Sequence, residues 1–276
     1  MRPIKNFFVI AKEALALFRQ KNGDLLAAAV SYYAVFSIVP LIFFSVSVVG
    51  MIYGKEFVAD LLIRWGGLVF ASDVLLFLSD SVDTLENLSR GLQIPILGAV
   101  FFTVVIILGF NTLTKGLNQM WNIFENGFRS DITRIARMII FTFVLQFFIV
   151  GMIIMESLFA FLVASSSLVA MIFEPILYFS ATTLFLAIGY KLLAWKTPPM
   201  RSLLYGSAVG TFLFLIIGKL LVWLHLSLFP VSDIFNVAGL LIVILMWIFI
   251  TTVFIYYGAA FAYLHAIKSG HTGRIS

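Results

Sequence analysis

Glu156 and Lys219 are the residues of this sequence best placed for unusual chemistry, because each stands inside a long apolar stretch. Glu156 lies about 20 residues into a run from Ala136 to Val163, and Lys219 about 16 residues into a run from Leu203 to Leu224. Charge in such surroundings is costly and marks a substrate or ion pathway by default. If both runs are helices entering a membrane from the same side, the two charges reach depths differing by about 6 Å. They can then pair, as a structural clamp or as the polar floor of a cavity for transport. The alternative is that each side chain reaches the outer interface on its own.

A second group is Asn111, Thr114, Lys115, Asn118 and Asn122, which follow at three- and four-residue steps. Amides, a hydroxyl and a cation on one helical face could hold the phosphate of a head group. The competing reading is a helix end bonded to neighbouring loops, with Trp121 as an interfacial anchor. Pro40, preceded by Ala27, Ala28, Ala29, Ser31, Tyr32 and Tyr33, removes a backbone hydrogen bond and kinks a helix. Kinked helices flank transport sites, and they also occur in purely structural spans. Gly206 and Gly210 make a G-x-x-x-G, and Gly258-Ala259-Ala260 is a further run of small residues. Both suit close helix contact.

Other chemistries lack their residues. The chain has no cysteine, and its three histidines, His225, His265 and His271, are scattered, so neither thiolate sites nor H-E-x-x-H can be built. Asp24 and Asp131 have no acidic cluster around them, and Ser165-Ser166-Ser167 has no neighbouring base. A nuclease needs carboxylates or histidines gathered around metal ions. G-x-x-x-x-G-K-[ST] does not occur, so transport would draw on a gradient or run downhill. No enzyme, metal or cofactor is expected.

The elements that position these residues follow from composition. The chain of 276 residues is 62% hydrophobic and 11% charged, far from a soluble domain. Six apolar runs stand out: Leu25 to Tyr53, Ile94 to Leu113, Ala136 to Val163, Pro175 to Leu193, Leu203 to Leu224 and Gly239 to Leu264. Each is long enough to cross a bilayer as a helix, and nothing alternates as barrel strands must. The sequence therefore predicts an all-α polytopic membrane protein with six transmembrane helices. Lys and Arg gather in the N-terminal segment (Arg2, Lys5, Lys12, Arg19, Lys21), in the second connection (Lys115, Arg129, Arg134, Arg137), in the fourth (Lys191, Lys196, Arg201) and at the C-terminus (Lys268, Arg274). Positive charge stays inside, so both termini are expected in the cytoplasm.

Three regions result: a cytoplasmic amphipathic segment 1–24, a six-helix domain 25–265 and a cytoplasmic tail 266–276. In the first, Ile4, Phe7, Phe8, Ala11, Leu15 and Phe18 recur at helical spacing, with Lys5, Lys12 and Arg19 on another face. Such a helix lies on an anionic leaflet or packs on the protein's own loops. The connection 54–93 is acidic and carries a helical stripe through Leu75, Leu78, Val82, Leu85 and Leu92. A short amphipathic helix at the outer mouth is expected there, with a solvated face rather than a calcium loop.

The order of Asp24, Ala27 to Ala29, Ser31-Tyr32-Tyr33 and Pro40, then Leu117-Asn118-Gln119-Met120-Trp121, then Gly206-Ser207-Ala208, then Met246-Trp247 and Gly258-Ala259-Ala260 resembles the YihY/virulence factor BrkB family of bacterial inner-membrane proteins. The likeness runs from about residue 10 to residue 265. It implies a six-helix inner-membrane protein, once filed under the name ribonuclease BN. Some members are linked to envelope lipid or lipopolysaccharide transport and to serum resistance. Ala260 stands where many relatives carry Glu, so that position offers no shared ionisable site.

Two functions of different kind follow as expectations. One is transport of a lipid or other amphiphile, with anionic phospholipid or a lipopolysaccharide-type molecule as substrate. The other is a non-catalytic envelope scaffold working through the acidic connection and the basic cytoplasmic face. A membrane ribonuclease ranks last, nucleic acid is not an expected partner, and a homo-oligomer is left open.

Overall fold

The computed structural model describes residues 2–36, 93–123, 133, 135–145, 147–148, 151–152, 155, 167–228 and 231–270. Among these residues every regular element is helical: α1 (Arg2–Gln20), α2 (Gly23–Phe36), α3 (Gln93–Met120), α4 (Ile135–Leu145), α5 (Ser167–Leu193), α6 (Met200–Leu228) and α7 (Val231–Lys268). In hydrocarbon only such a ladder satisfies the backbone. Among the described residues, three stretches are long and apolar enough to cross a membrane: Pro175–Leu193, Met200–Lys219 and Ile244–Lys268. Only 28–33% of each is buried inside the protein. Apolar side chains thus dominate the outer surface as well, with Phe143, Phe173, Ile176, Phe212 and Ile216 all exposed, as a chain solvated by lipid requires.

The helices outrun the apolar stretches that signal them. Seven residues beyond Leu113, α3 continues through its polar strip to Met120, and α6 and α7 extend past both ends of their runs. A helical ladder persists through polar residues once it is nucleated. Pro175 marks the start of the fourth apolar run, yet it lies inside α5, which begins at Ser167. Its missing N–H removes one bond without ending the helix.

Contacts divide the chain into two units. The first holds Met1–Ala27, Thr112–Lys219 and Ile250–Ser276; the second holds Ala28–Asn111 and Leu220–Phe249. In the first, the end of α7 is the hub. It meets α6 through glycines, α5 through Tyr190, α3 through Trp121, and α1 through Tyr257 and Lys268. On α5, α4 leans through Phe141, whose ring lies 5.9 Å from Phe185 and against Gly189, and Phe148, beyond the end of α4, stacks 4.1 Å from Phe185. In the second unit, Ser31 is buried, Tyr32 sits between Tyr33 (5.6 Å) and Phe36 (4.5 Å), and Tyr33 backs onto Gly109.

Candidate functional site

Small residues let α6 and α7 approach until backbone meets backbone. A methyl on Gly258 would lie 2.6 Å from the Gly206 carbonyl oxygen and 2.7 Å from the Tyr190 hydroxyl, and one on Gly206 would collide with Gly258 and Ala262. One turn on, a methyl at Gly210 would lie 3.0 Å from the Phe254 carbonyl oxygen and 3.3 Å from Leu186 of α5. The G-x-x-x-G is therefore a contact face in fact, and Gly258 is its counterpart.

Around that contact sit three aromatic side chains whose polar ends need partners in an apolar bundle. Each finds a backbone carbonyl. Trp121 is fully buried and donates through Nε1 to the Ala259 oxygen at 2.8 Å. Tyr190 donates to the Ile255 oxygen and meets Trp121 edge to face at 5.9 Å. Tyr256 donates across to the Thr112 oxygen at 3.3 Å, lying over Gly116, where no side chain would fit. Trp121 is not an interfacial anchor; it is the plug between α3 and α7.

The polar strip of α3 is divided by burial. Thr114 and Asn118 turn inward, whereas Lys115 and Asn122 are exposed. Asn118 accepts a bond through Oδ1 from the Trp195 backbone N–H at 3.2 Å. Arg137 donates to the Ala194 oxygen at 3.0 Å and lies 4.8 Å over the Trp195 ring. Together they clamp the α5–α6 connection. Asn122 stops α3 with a positive φ of 54°, a conformation asparagine tolerates better than most residues. Its side chain accepts from Lys21 and donates to Tyr263. At the same end, Ser202 meets His265 Nδ1 at 3.0 Å, and Tyr205 covers the His265 ring at 4.6 Å.

Among the described residues of the first unit, by contrast, four buried hydroxyls have no partner: Thr114, Thr183, Ser207 and Thr211. Two exposed hydroxyls behave otherwise: Thr142 returns to the Met138 oxygen at 2.9 Å and Ser180 to the Ile176 oxygen at 2.7 Å. Ser207 and Thr211 are one turn apart on α6, each next to a glycine of the contact face. Thr183 lies on α5, one turn from the Leu186 that touches Gly210. In the other unit the Asn111 side-chain oxygen is likewise buried and unbonded.

Of the residues the sequence singles out, the structure brings Trp121, Gly206, Gly210 and Gly258 into one cluster and puts Thr114 and Asn118 on the buried face of α3. Lys219 is exposed on α6, and Asp24 is exposed in the first turn of α2, where a carboxylate suits the helix dipole. Glu156, Pro40, residues 54–92 and the end of the tail lie outside the described residues, and with them the Glu156/Lys219 pair and the acidic outer helix. Sequence reasoning missed Tyr190, Tyr256, Thr183 and Thr211. Ser207 and Thr211 did carry a signal, as hydroxyls four apart beside glycines four apart. Among the described residues no group of acids and histidines could hold a metal ion.

Residues 14–275 match the family model described as virulence factor BrkB. No curated protein and no solved structure matches the chain.

Proposed function

The chain belongs to the virulence factor BrkB family, and from that membership and the geometry of its helices we propose that it is a non-enzymatic inner-membrane protein, with six spans and both termini in the cytoplasm, that moves a lipid or another amphiphile across or out of the membrane. The observation that carries this reading is the set of unpartnered hydroxyls at Thr183, Ser207 and Thr211, buried in α5 and α6. An unpaired buried hydroxyl costs about 1–3 kcal/mol. A polar head group passing between α5 and α6 would supply the missing bonds, and the apolar exterior would keep the acyl chains in lipid. Glu156 and Lys219 remain proposed as polar groups of the same route.

The test is lipid translocation by the purified protein in liposomes, read with fluorescent phosphatidylglycerol, phosphatidylethanolamine and a lipopolysaccharide-type lipid. Faster movement than in empty liposomes is expected for at least one lipid. A triple variant, Thr183→Val, Ser207→Ala and Thr211→Val, should lose that movement while unfolding no more easily than the parent. Equal rates for variant and parent would overturn the assignment of the hydroxyls, and no acceleration with any lipid would overturn the transport reading. Topology is tested separately by introduced thiols at Arg2→Cys and Arg274→Cys, both of which should react only from the cytoplasmic side.

A further inference from the structure

The N-terminal helix α1 has one face packed on the protein and another left open. Ile10, Ala14 and Phe18 are buried against the protein, and the Phe7 ring lies 5.4 Å from Phe261 of α7. The opposite side is open. Phe8 is 67% exposed and Leu15 41%. They stand seven residues apart and so share a face, with exposed Lys12 and Arg19, also seven apart, about 40° further round the helix.

The height of this face is fixed by its tethers. Tyr257 of α7 donates to the Ala11 carbonyl at 3.0 Å, and the Lys268 ammonium meets the Glu13 carboxylate at 2.7 Å. Lys268 is the last residue of a candidate span, Ile244–Lys268, and Tyr257 stands 11 residues before it, so the ion pair to Glu13 ties α1 to the end of that span. At its C-terminal end α1 is held to the end of α3, where Gln119 donates to the Lys21 carbonyl at 3.2 Å and Lys21 donates to Asn122. A helix bound to the ends of two neighbouring helices lies where hydrocarbon gives way to head groups. There an apolar pair of side chains finds acyl chains and two adjacent cations find phosphate.

We infer that the face of α1 formed by Phe8, Leu15, Lys12 and Arg19 binds the surface of an anionic lipid leaflet, so that α1 is an in-plane anchor attached rigidly to α7. Charge decides between occupants. A zwitterionic surface or a soluble partner gains little from two unpaired cations beside two apolar residues, whereas an anionic leaflet satisfies both kinds of group. The inference concerns a surface separate from the hydroxyls of α5 and α6 and stands or falls independently of them.

The absence of cysteine makes the experiment clean. The full chain carrying Leu15→Cys or, as control, Gln20→Cys is labelled with bimane. It is reconstituted into vesicles of phosphatidylcholine alone or of equal parts phosphatidylcholine and phosphatidylglycerol, each doped with doxyl-labelled lipid. The label at residue 15 should be quenched by the lipid and shielded from iodide, most strongly with phosphatidylglycerol, while the label at residue 20 stays open to iodide. Lys12→Gln and Arg19→Gln should each weaken the preference for phosphatidylglycerol roughly fivefold. Iodide access at residue 15 in anionic vesicles would overturn the inference. So would quenching indifferent to lipid charge and to both substitutions, or shielding that grows with protein density, which would indicate a second copy on this face.

Discussion

Replacement of Gly258 by alanine tests the central contact most directly. The added methyl would stand 2.6 Å from the Gly206 carbonyl oxygen and 2.7 Å from the Tyr190 hydroxyl. Carbon and carbonyl oxygen ordinarily come no closer than about 3.3 Å, so α6 and α7 must part by about 0.7 Å or Tyr190 must move. Overpacking of this kind costs about 1–3 kcal/mol, and a rigid backbone neighbour puts Gly258 at the upper end. Alanine's better helix propensity returns about 0.5–1 kcal/mol, leaving a net loss of about 2 kcal/mol, or roughly 30-fold in the folded-to-unfolded ratio. Gly210→Ala, whose methyl would meet Phe254 oxygen at 3.0 Å, should lose less. Gly151→Ala, whose methyl meets nothing within 4 Å, should be neutral or slightly stabilised. Unfolding by sodium dodecyl sulfate in mixed micelles, followed by circular dichroism, ranks the three. Gly258→Ala as stable as the parent, or no poorer than Gly151→Ala, would refute the close approach of α6 and α7.

Trp121→Phe keeps an aromatic plug but removes the donor to Ala259; it should cost about 2 kcal/mol in the same unfolding assay. Thr211→Val replaces an unbonded buried hydroxyl by a group of the same shape, so stability should hold or rise by up to about 1 kcal/mol, and a clear loss would show that the hydroxyl has a partner. At Asn122, glycine keeps the positive φ and loses only the bonds to Lys21 and Tyr263, whereas alanine adds about 1 kcal/mol of backbone strain; thermal unfolding in detergent should rank parent, glycine and alanine in that order. Glu13→Gln removes the ion pair to Lys268, but both side chains are more than a third exposed, so the loss should stay below about 1 kcal/mol and vanish at high salt.

The helical, membrane-embedded character of this protein was readable without coordinates, because length and apolarity are local properties that add along the chain. The glycine face was readable for a similar reason, since Gly206 and Gly210 lie on one side of one helix. Partner choice was not readable. Both α5 and α7 are apolar on every side, so periodicity does not tell which face meets protein and which meets lipid. Trp121 looks from its neighbours like an interfacial residue, and only its bond to Ala259, 138 positions away, makes it a buried plug. In α1 the amphipathic pattern was plain, but tertiary packing split its apolar residues into a face docked on α7 and a face left open. Sequence alone settled that this chain folds as helices for a lipid environment, since hydrophobicity needs no partner to act. Only the tertiary structure decided which hydroxyls are bonded and which are left unpaired, since a hydrogen bond depends on two groups meeting at one distance and angle.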